Sequence, residues 1–320
     1  MPRILLIKMS SLGDVIHNLP VATDIRRHVP DALIDWVVEE QYTALVGMHP
    51  AVDRIIPIAL RRWRRSLLSA AAWREAGALR RLLRGHEYDA IIETQGLLKS
   101  ALVAKLARGP IHGFGPGTAR DPLASKFYDV TIELPPQAHK IFRYRSVAAH
   151  ALGYAVVPEI DYGIAPRVPA PQIASGRYCL AFHGTARAAK LWPEANWIEL
   201  VGRLETAGYA CILPWGNAAE RARSERIAAA NHAAIVPPRL ALDAMSALIA
   251  GAECVAGVDT GLMHLAAALS RPVVGIFCDS NPVDACPVGP GPTAYRGRIG
   301  APPSVGEVAE AIGEVTRIQI

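Results

Sequence analysis

The sequence has little cysteine and few aromatic residues: five cysteines and 6% Phe, Trp and Tyr in 320 positions. The cysteines, at 179, 211, 254, 278 and 286, are odd in number, irregular in spacing and form no CxxC pair. That argues against a disulfide framework or a structural zinc site and points to buried free thiols. No apolar run reaches the roughly 18 residues needed to cross a bilayer. The opening RILLIK is too short for a signal peptide and runs straight into polar SSLGD, so the expected location is the cytoplasm. No GxGxxG follows the first apolar run and GxxxxGK[ST] is missing, which disfavours a Rossmann dehydrogenase and a P-loop enzyme. HExxH and dense aspartate clusters are also missing; CDSNPVD (278–284) reads as a loop, and no metal is expected.

Negative charge is scarce in one segment. Between Arg61 and Arg84 stand eight arginines (61, 62, 64, 65, 74, 80, 81, 84) against one acid, Glu75. Such a patch suits a phosphorylated partner, an anionic membrane surface or nucleic acid. Nucleic acid is disfavoured, because the patch is confined to one segment and accompanies no known nucleic-acid module. The arginines after position 73 read as a solvated helix face. RRWRR, an aromatic among four arginines, is the functional candidate.

What the chain has in quantity is apolar residue, 51% against 20% charged, enough for a large core. Its length suits two domains. RILLIK, DWVVEE and YDAIIET in the first half, and YCLAFHG, ACILPWG, CVAGVD and PVVGIF in the second, are predicted strands. Amphipathic segments at 66–84, 98–108, 194–207, 218–230, 241–251 and 261–269 are predicted helices. Strands apolar throughout, each followed by a helix, indicate parallel sheets covered on both faces. Segment 156–177, with four prolines and little periodicity, reads as a linker. The expected fold class is α/β: two doubly wound domains, 1–165 and 166–320, facing each other across a cleft, with ligands beyond the carboxyl ends of the strands.

Four constellations lie at such ends. Asp14, in SSLGDVIHNLP, follows the first strand after a turn made compact by Ser10, Ser11 and Gly13. It serves either as a helix cap or as a base in a cleft. In VAGVDTGLMHLAAAL (255–269) the strand ends, Asp259-Thr260-Gly261 turns, and a helix begins with His264 in its first turn. Free N–H groups there suit a phosphate, and a capped helix with a satisfied histidine is the alternative. Thr185, Arg187 and Lys190 stand in a polar loop before WPEANW, where they suit a pyrophosphate or merely face solvent. Glu220 follows a strand and a glycine turn, about where an acid grips ribose hydroxyls, and where an ordinary first-turn acid also sits.

Taken in order, KMSSLGDVIHNLP, DWVVEE, RRWRR, TQGLLKS, TARDPLASKFYD, TARAAKLWP, LPWG and VDTGLMHLAAAL resemble the ADP-heptose lipopolysaccharide heptosyltransferases, glycosyltransferase family 9. DTG-x-x-H is shared by related members, whereas RRWRR with TARDPLAS points to those that add the first heptose. The resemblance implies a GT-B fold of two Rossmann-like domains, acceptor on the first and ADP-heptose on the second. It also implies a last helix, about 304–317, that packs back on the first domain. It makes Asp14 the general base that deprotonates a hydroxyl of the inner Kdo of Kdo2-lipid A, whose oxygen displaces ADP from heptose with inversion and without a metal or other cofactor. Lys190, Thr185 and Thr260-Gly261-Leu262 would then stabilise the leaving pyrophosphate, with His264 and Asp259 beside it. Glu220 would hold ribose and Leu240 would line the adenine pocket, where the family commonly has a methionine. Lys8, Ser10, Ser11, Gly13, Arg61, Arg62, Arg64, Gln95 and Arg120 would meet the acceptor, and Trp63 with the arginines would hold the enzyme peripherally on the cytoplasmic face of the inner membrane. A second loop threonine of the family is Ala186 here, so that one phosphate contact is either missing or supplied by Arg187. A heptosyltransferase acting later in the core is the alternative.

Overall fold

The computed structural model describes residues 1–65, 69–135 and 137–320. The chain divides into two compact units, Met1–Ile164 and Ala165–Ile320. The first is built on β1 (Arg3–Ile7), β2 (Leu33–Glu39), β3 (Arg54–Ile58), β4 (Ala90–Glu93), β5 (Ile111–Phe114) and β6 (Val130–Ile132), ordered β3-β2-β1-β4-β5-β6. The second uses β7 (Tyr178–Phe182), β8 (Ala210–Ile212), β9 (Ala234–Ile235), β10 (Cys254–Val258), β11 (Val273–Phe277) and β12 (Thr293–Gly297), ordered β12-β11-β10-β7-β8-β9. All pairings are parallel. Counted from its own first strand, each sheet has the doubly wound order 3-2-1-4-5-6. Its switch point therefore lies between β1 and β4 in one unit and between β7 and β10 in the other.

The central strands β4, β10 and β11 are buried at every residue, which is why they read as unbroken apolar runs. The strands that sequence reading misses are β3, β5, β6, β9 and β12. Four of these are sheet edges, short and partly exposed, and β3 even carries Pro57, which only an edge tolerates.

The expected helices are found at Ala70–Arg84, Leu98–Ala104, Glu194–Thr206, Ala218–Ala229, Leu242–Ala250 and Gly261–Ala268. The second stops at Ala104, short of the expected 108, and positions 66–68 of the first lie outside the described residues. CDSNPVD is not wholly loop: Asn281 caps a short helix, Pro282–Ala285. Residues 156–177 carry neither helix nor strand. The start of this segment is tied to the first unit. Buried Arg145, held by Asp24 at 2.6 and 3.0 Å, donates to the carbonyl of Val157, and Tyr162 is buried.

The apolar side chains Val305, Val308, Ala311, Ile312 and Val315 of the last helix, Val305–Val315, join the second unit's core around Trp192, Trp197 and Ile276.

Candidate active site

In the first unit the switch point gathers residues from β1, β4 and a helix far along the chain. Asp14 lies in the short helix Leu12–Ile16 that follows β1. Its Oδ2 accepts from the Ser11 amide (3.3 Å) and hydroxyl (3.0 Å), so the capping role is real. Its Oδ1 is left for other work: it accepts from the Tyr144 hydroxyl at 3.2 Å and lies 3.7 Å from Lys140 Nζ. Tyr144 and Lys140 are one turn apart on the helix Lys140–Leu152.

Beneath them Lys8 is fully buried at the end of β1. Its ammonium donates to the Thr94 carbonyl at 2.8 Å and sits 3.6 Å from the centre of the Tyr144 ring. Burial lowers the Lys8 pKa to about 8, while Asp14 and Glu93 pull it upward. For Asp14, burial raises the pKa, but Lys8, Lys140 and the Ser11 bonds together outweigh it and bring the value down to about 2. The carboxylate is thus ionised at any pH the protein meets. Gln95 Oε1 accepts from the amides of Met9 (2.9 Å) and Ser10 (3.3 Å), locking the Ser10-Ser11 turn against the end of β4. Gly96 has φ +63°, and a Cβ there would lie 3.2 Å from the Arg120 amide; glycine is what lets the Arg120 loop close on Gln95.

The basic segment is less free than its composition suggests. Arg62 is clamped by two carboxylates, Glu40 (3.0 and 3.2 Å) and Glu75 (2.9 and 3.1 Å). The Trp63 indole also donates to Glu75, at 2.7 Å, and the ring packs on the first unit's core. The expectation that Arg62 and Trp63 are open to an acceptor or a membrane therefore meets a local ion-pair network. Arg61, Arg64 and Arg120 act electrostatically on Lys99, whose pKa is lowered by partial burial and by these three guanidiniums, against the pull of Glu39. Lys99, in TQGLLKS, belongs to this group of cations and was not singled out from the sequence.

The second unit carries the other switch point. After β10, Asp259 accepts from Lys190 Nζ and from the Ser280 hydroxyl (2.6 Å), and its Oδ1 is 3.9 Å from His264 Nε2. The Thr185 hydroxyl donates to the Asp259 carbonyl at 3.0 Å. One aspartate so laces the loops after β7, β10 and β11. Burial raises its pKa, but Lys190 and Ser280 prevail and hold it below the ordinary carboxylate range. Thr260 occupies the N-cap of Gly261–Ala268 and makes no side-chain capping bond, leaving first-turn N–H groups for a ligand.

Beside this turn is a cavity of about 430 Å³, lined among others by Phe182, Thr185, Glu220, Leu240, Met245 and Leu262. Glu220 is aimed by the Gly216 amide, which donates to Oε2 at 2.7 Å, and it lies so near Gly184 that a Cβ there would meet its carboxyl carbon at 2.8 Å. Ala186 lines the cavity, while Arg187 turns to Asp279, donating to its carbonyl at 3.2 Å. Leu240 and Met245 both line the cavity. In the sequence Met245 reads as the apolar face of an amphipathic helix, LDAMSALIA. Among the described residues no three His, Cys, Asp or Glu side chains are placed to share a metal ion, and no helix is long and apolar enough to cross a membrane.

The comparisons agree with this architecture. The family model described as glycosyltransferase family 9 (heptosyltransferase) matches residues 76–311. The chain is 43% identical over 283 residues to lipopolysaccharide heptosyltransferase 1 of Salmonella typhimurium, covering 88% of this chain and 89% of the relative. It is similar to the Escherichia coli heptosyltransferase WaaC solved with ADP, at 38% identity and a TM-score of 0.91, covering 98% and 100% of the two chains. The same enzyme solved with ADP-2-deoxy-2-fluoro heptose matches at 39% identity and a TM-score of 0.87, over 98% and 99%. With an overall likeness of that extent and two switch points so furnished, the chain belongs to glycosyltransferase family 9, the heptosyltransferases.

Proposed function

We propose that the chain transfers L-glycero-D-manno-heptose from ADP-heptose to the inner Kdo of Kdo2-lipid A, with inversion. The observation that carries this is the second-unit cavity, whose lining brings together Phe182, Leu240 and Met245, which suit a base, with Glu220, Thr185, Thr260 and Leu262. Adenine would lie on the apolar wall, ribose on Glu220, and the pyrophosphate against Thr185, Lys190 and the N–H groups after Thr260.

In this reading Asp14 takes the proton of the attacking hydroxyl as the new bond to the anomeric carbon forms. The charge that builds on the departing diphosphate falls to Lys190, Thr185 and the helix N-terminus, so no metal or other cofactor is needed. Lys8, Ser10, Ser11, Gly13 and Gln95 shape the floor under the acceptor hydroxyl. Arg61, Arg64, Arg120 and Lys99 meet the acceptor's carboxylates and phosphates, and Arg62 orders the segment through Glu40 and Glu75. An acceptor anchored by acyl chains places the enzyme peripherally at the cytoplasmic face of the inner membrane.

The test is ADP release from ADP-L-glycero-D-manno-heptose, with and without Kdo2-lipid A and in excess EDTA. Release that requires Kdo2-lipid A and survives EDTA is expected. Release only with an acceptor that already bears heptose would move the enzyme to a later core step, and loss in EDTA would reinstate a metal. Glu220→Gln is expected to weaken ADP binding about tenfold, as a charge-assisted bond to a ribose hydroxyl is reduced to a neutral one, with kcat unchanged. Calorimetry with ADP checks it; unaltered affinity would leave Glu220 as a first-turn acid only.

A further inference from the structure

Asp14 is gripped from two places that lie far apart in the chain. The Ser11 amide and hydroxyl hold Oδ2 from its own turn. A carboxylate held at one oxygen alone can still swing about its last torsion, a soft sp³–sp² rotation. The second hold comes from the helix Lys140–Leu152, where the Tyr144 hydroxyl donates to Oδ1 at 3.2 Å. That hydroxyl is itself closely set. Tyr144 is 7% exposed, the Lys8 ammonium lies 3.6 Å from the centre of its ring, and the Phe114 ring stands 6.3 Å away between centroids. Both chain neighbours of Tyr144 are tied down: Arg143 donates to the Thr118 carbonyl at 2.6 Å, and Arg145 donates to the Asp24 carboxylate. Burial and the charge of Asp14 push the Tyr144 pKa well above that of a free phenol, so the proton stays on the hydroxyl and the carboxylate stays the acceptor. Lys140 Nζ also lies 3.7 Å from Oδ1, but its side chain is 40% exposed, and a pair of that kind holds little.

We propose that Tyr144 is a positioning residue for the base, its hydroxyl fixing the plane of the Asp14 carboxylate so that the remaining lone pair of Oδ1 is presented to the acceptor hydroxyl. The inference rests on the proposed function and adds to it a residue from outside the SSLGD turn. A carboxylate oxygen has two acceptor positions, and Tyr144 takes one of those on Oδ1. With Oδ2 tied to Ser11 and Oδ1 to Tyr144, rotation is blocked from both ends and the open position keeps one direction. The Asp14 side chain is 17% exposed, which leaves that position within reach of a ligand. Aim matters because a displacement of about 1 Å at a reacting group can cost about a hundredfold in rate. The same bond favours the charged form and makes Asp14 a weaker base. The site thus trades basicity for orientation, and removal of the hydroxyl tests which of the two governs the rate.

The experiment is a double-mutant cycle in the full chain: wild type, Tyr144→Phe, Asp14→Ala and the double variant. Phenylalanine keeps the ring over Lys8 and beside Phe114 and removes only the hydroxyl. Heptose transfer from ADP-heptose to Kdo2-lipid A is followed by steady-state kinetics, and unfolding in urea is measured near neutral pH. Tyr144→Phe is expected to lower kcat about tenfold, with both KM values within about twofold of wild type. On the Asp14→Ala background the same change should leave the residual rate within about twofold, since no carboxylate remains to be aimed. In urea, Tyr144→Phe should raise the unfolding constant about tenfold in wild type and hardly at all beside Asp14→Ala, as for a bond to a charged group. A tyrosine that serves packing alone would change stability equally on the two backgrounds, and that result overturns the proposal. So does a kcat within about twofold of wild type, or a tenfold loss that recurs beside Asp14→Ala. A raised acceptor KM with kcat unchanged also overturns it, because Tyr144 would then be a substrate contact. Coupling intact in urea, together with a wild type that transfers no heptose, would sink the proposed reaction and leave the hold of Tyr144 on Asp14 standing.

Discussion

Asp14→Asn is expected to lower kcat by about a thousandfold, the middle of the range for loss of a positioned general base, while ADP affinity stays the same. Asparagine keeps the size of the side chain and can still accept from Ser11, so a short cap survives. It cannot take a proton. The pKa of about 2 has two consequences for the reaction. It guarantees an ionised carboxylate, and it reduces the driving force for taking a sugar proton. Under the proposed reading, transfer would then occur late, once bond formation has made the hydroxyl acidic. A variant within about tenfold of wild type, at saturating acceptor, would return Asp14 to its capping role.

The same substitution has a stability signature. A folded-state pKa about two units below the ordinary 3.8 corresponds to about 2–3 kcal/mol of stability. That contribution is complete above about pH 5 and is lost as pH falls toward 2, because protonation removes the charge that Lys8 and Lys140 favour. The urea-unfolding difference between wild type and Asp14→Asn should therefore be largest near pH 6 and shrink as pH falls below 4. A difference independent of pH would mean that the pairing with Lys8 and Lys140 is worth little.

Lys190→Ala is the second large expectation: kcat falls by roughly a hundred- to a thousandfold, as when one donor to a developing anion is removed. In the structure Lys190 is held by Asp259, so its ammonium is aimed before any donor arrives. The pyrophosphate then competes with a carboxylate for that charge, and the competition favours the state with most negative charge at the leaving oxygen. The effect should accordingly appear more in kcat than in ADP affinity. Asp259 keeps Ser280 and His264 as neighbours, so the variant folds, with a modest loss of stability. Steady-state kinetics at saturating donor decides it: a change confined to donor KM would make Lys190 a binding residue with no part in the departure of ADP.

What the sequence announced and what it hid separate along physical lines. Asp14, Thr185, Asp259 and Thr260 were legible because buried parallel strands read as apolar runs, and the residue after such a run stands at a carboxyl edge. Tyr144 was not, because it reaches Asp14 across 130 positions from a helix whose pattern, KIFRYRSVAAHAL, mixes charge and apolar residues too evenly to stand out. The clamp on Arg62 was hidden for a similar reason: Glu40 follows a different strand, and composition cannot say which carboxylate a guanidinium finds. Arg187 shows the same limit, since only the fold reveals that Asp279 claims it. The edge strands escaped because partial exposure breaks the run that marks the central ones.

The repeated strand order has a consequence for how such enzymes diversify. Each sheet has its own switch point, and the groups described at the first lie within Met1–Ile164 while those at the second lie within Ala165–Ile320. Under the proposed reading, changes around Gln95 and Arg120 would retune which sugar is accepted, and changes around Leu240 and Met245 would retune which nucleotide is held, with neither set obliged to compensate for the other. The two specificities are thus separately heritable, and a chimera that exchanges one half at residue 164 would be expected to inherit one preference from each parent.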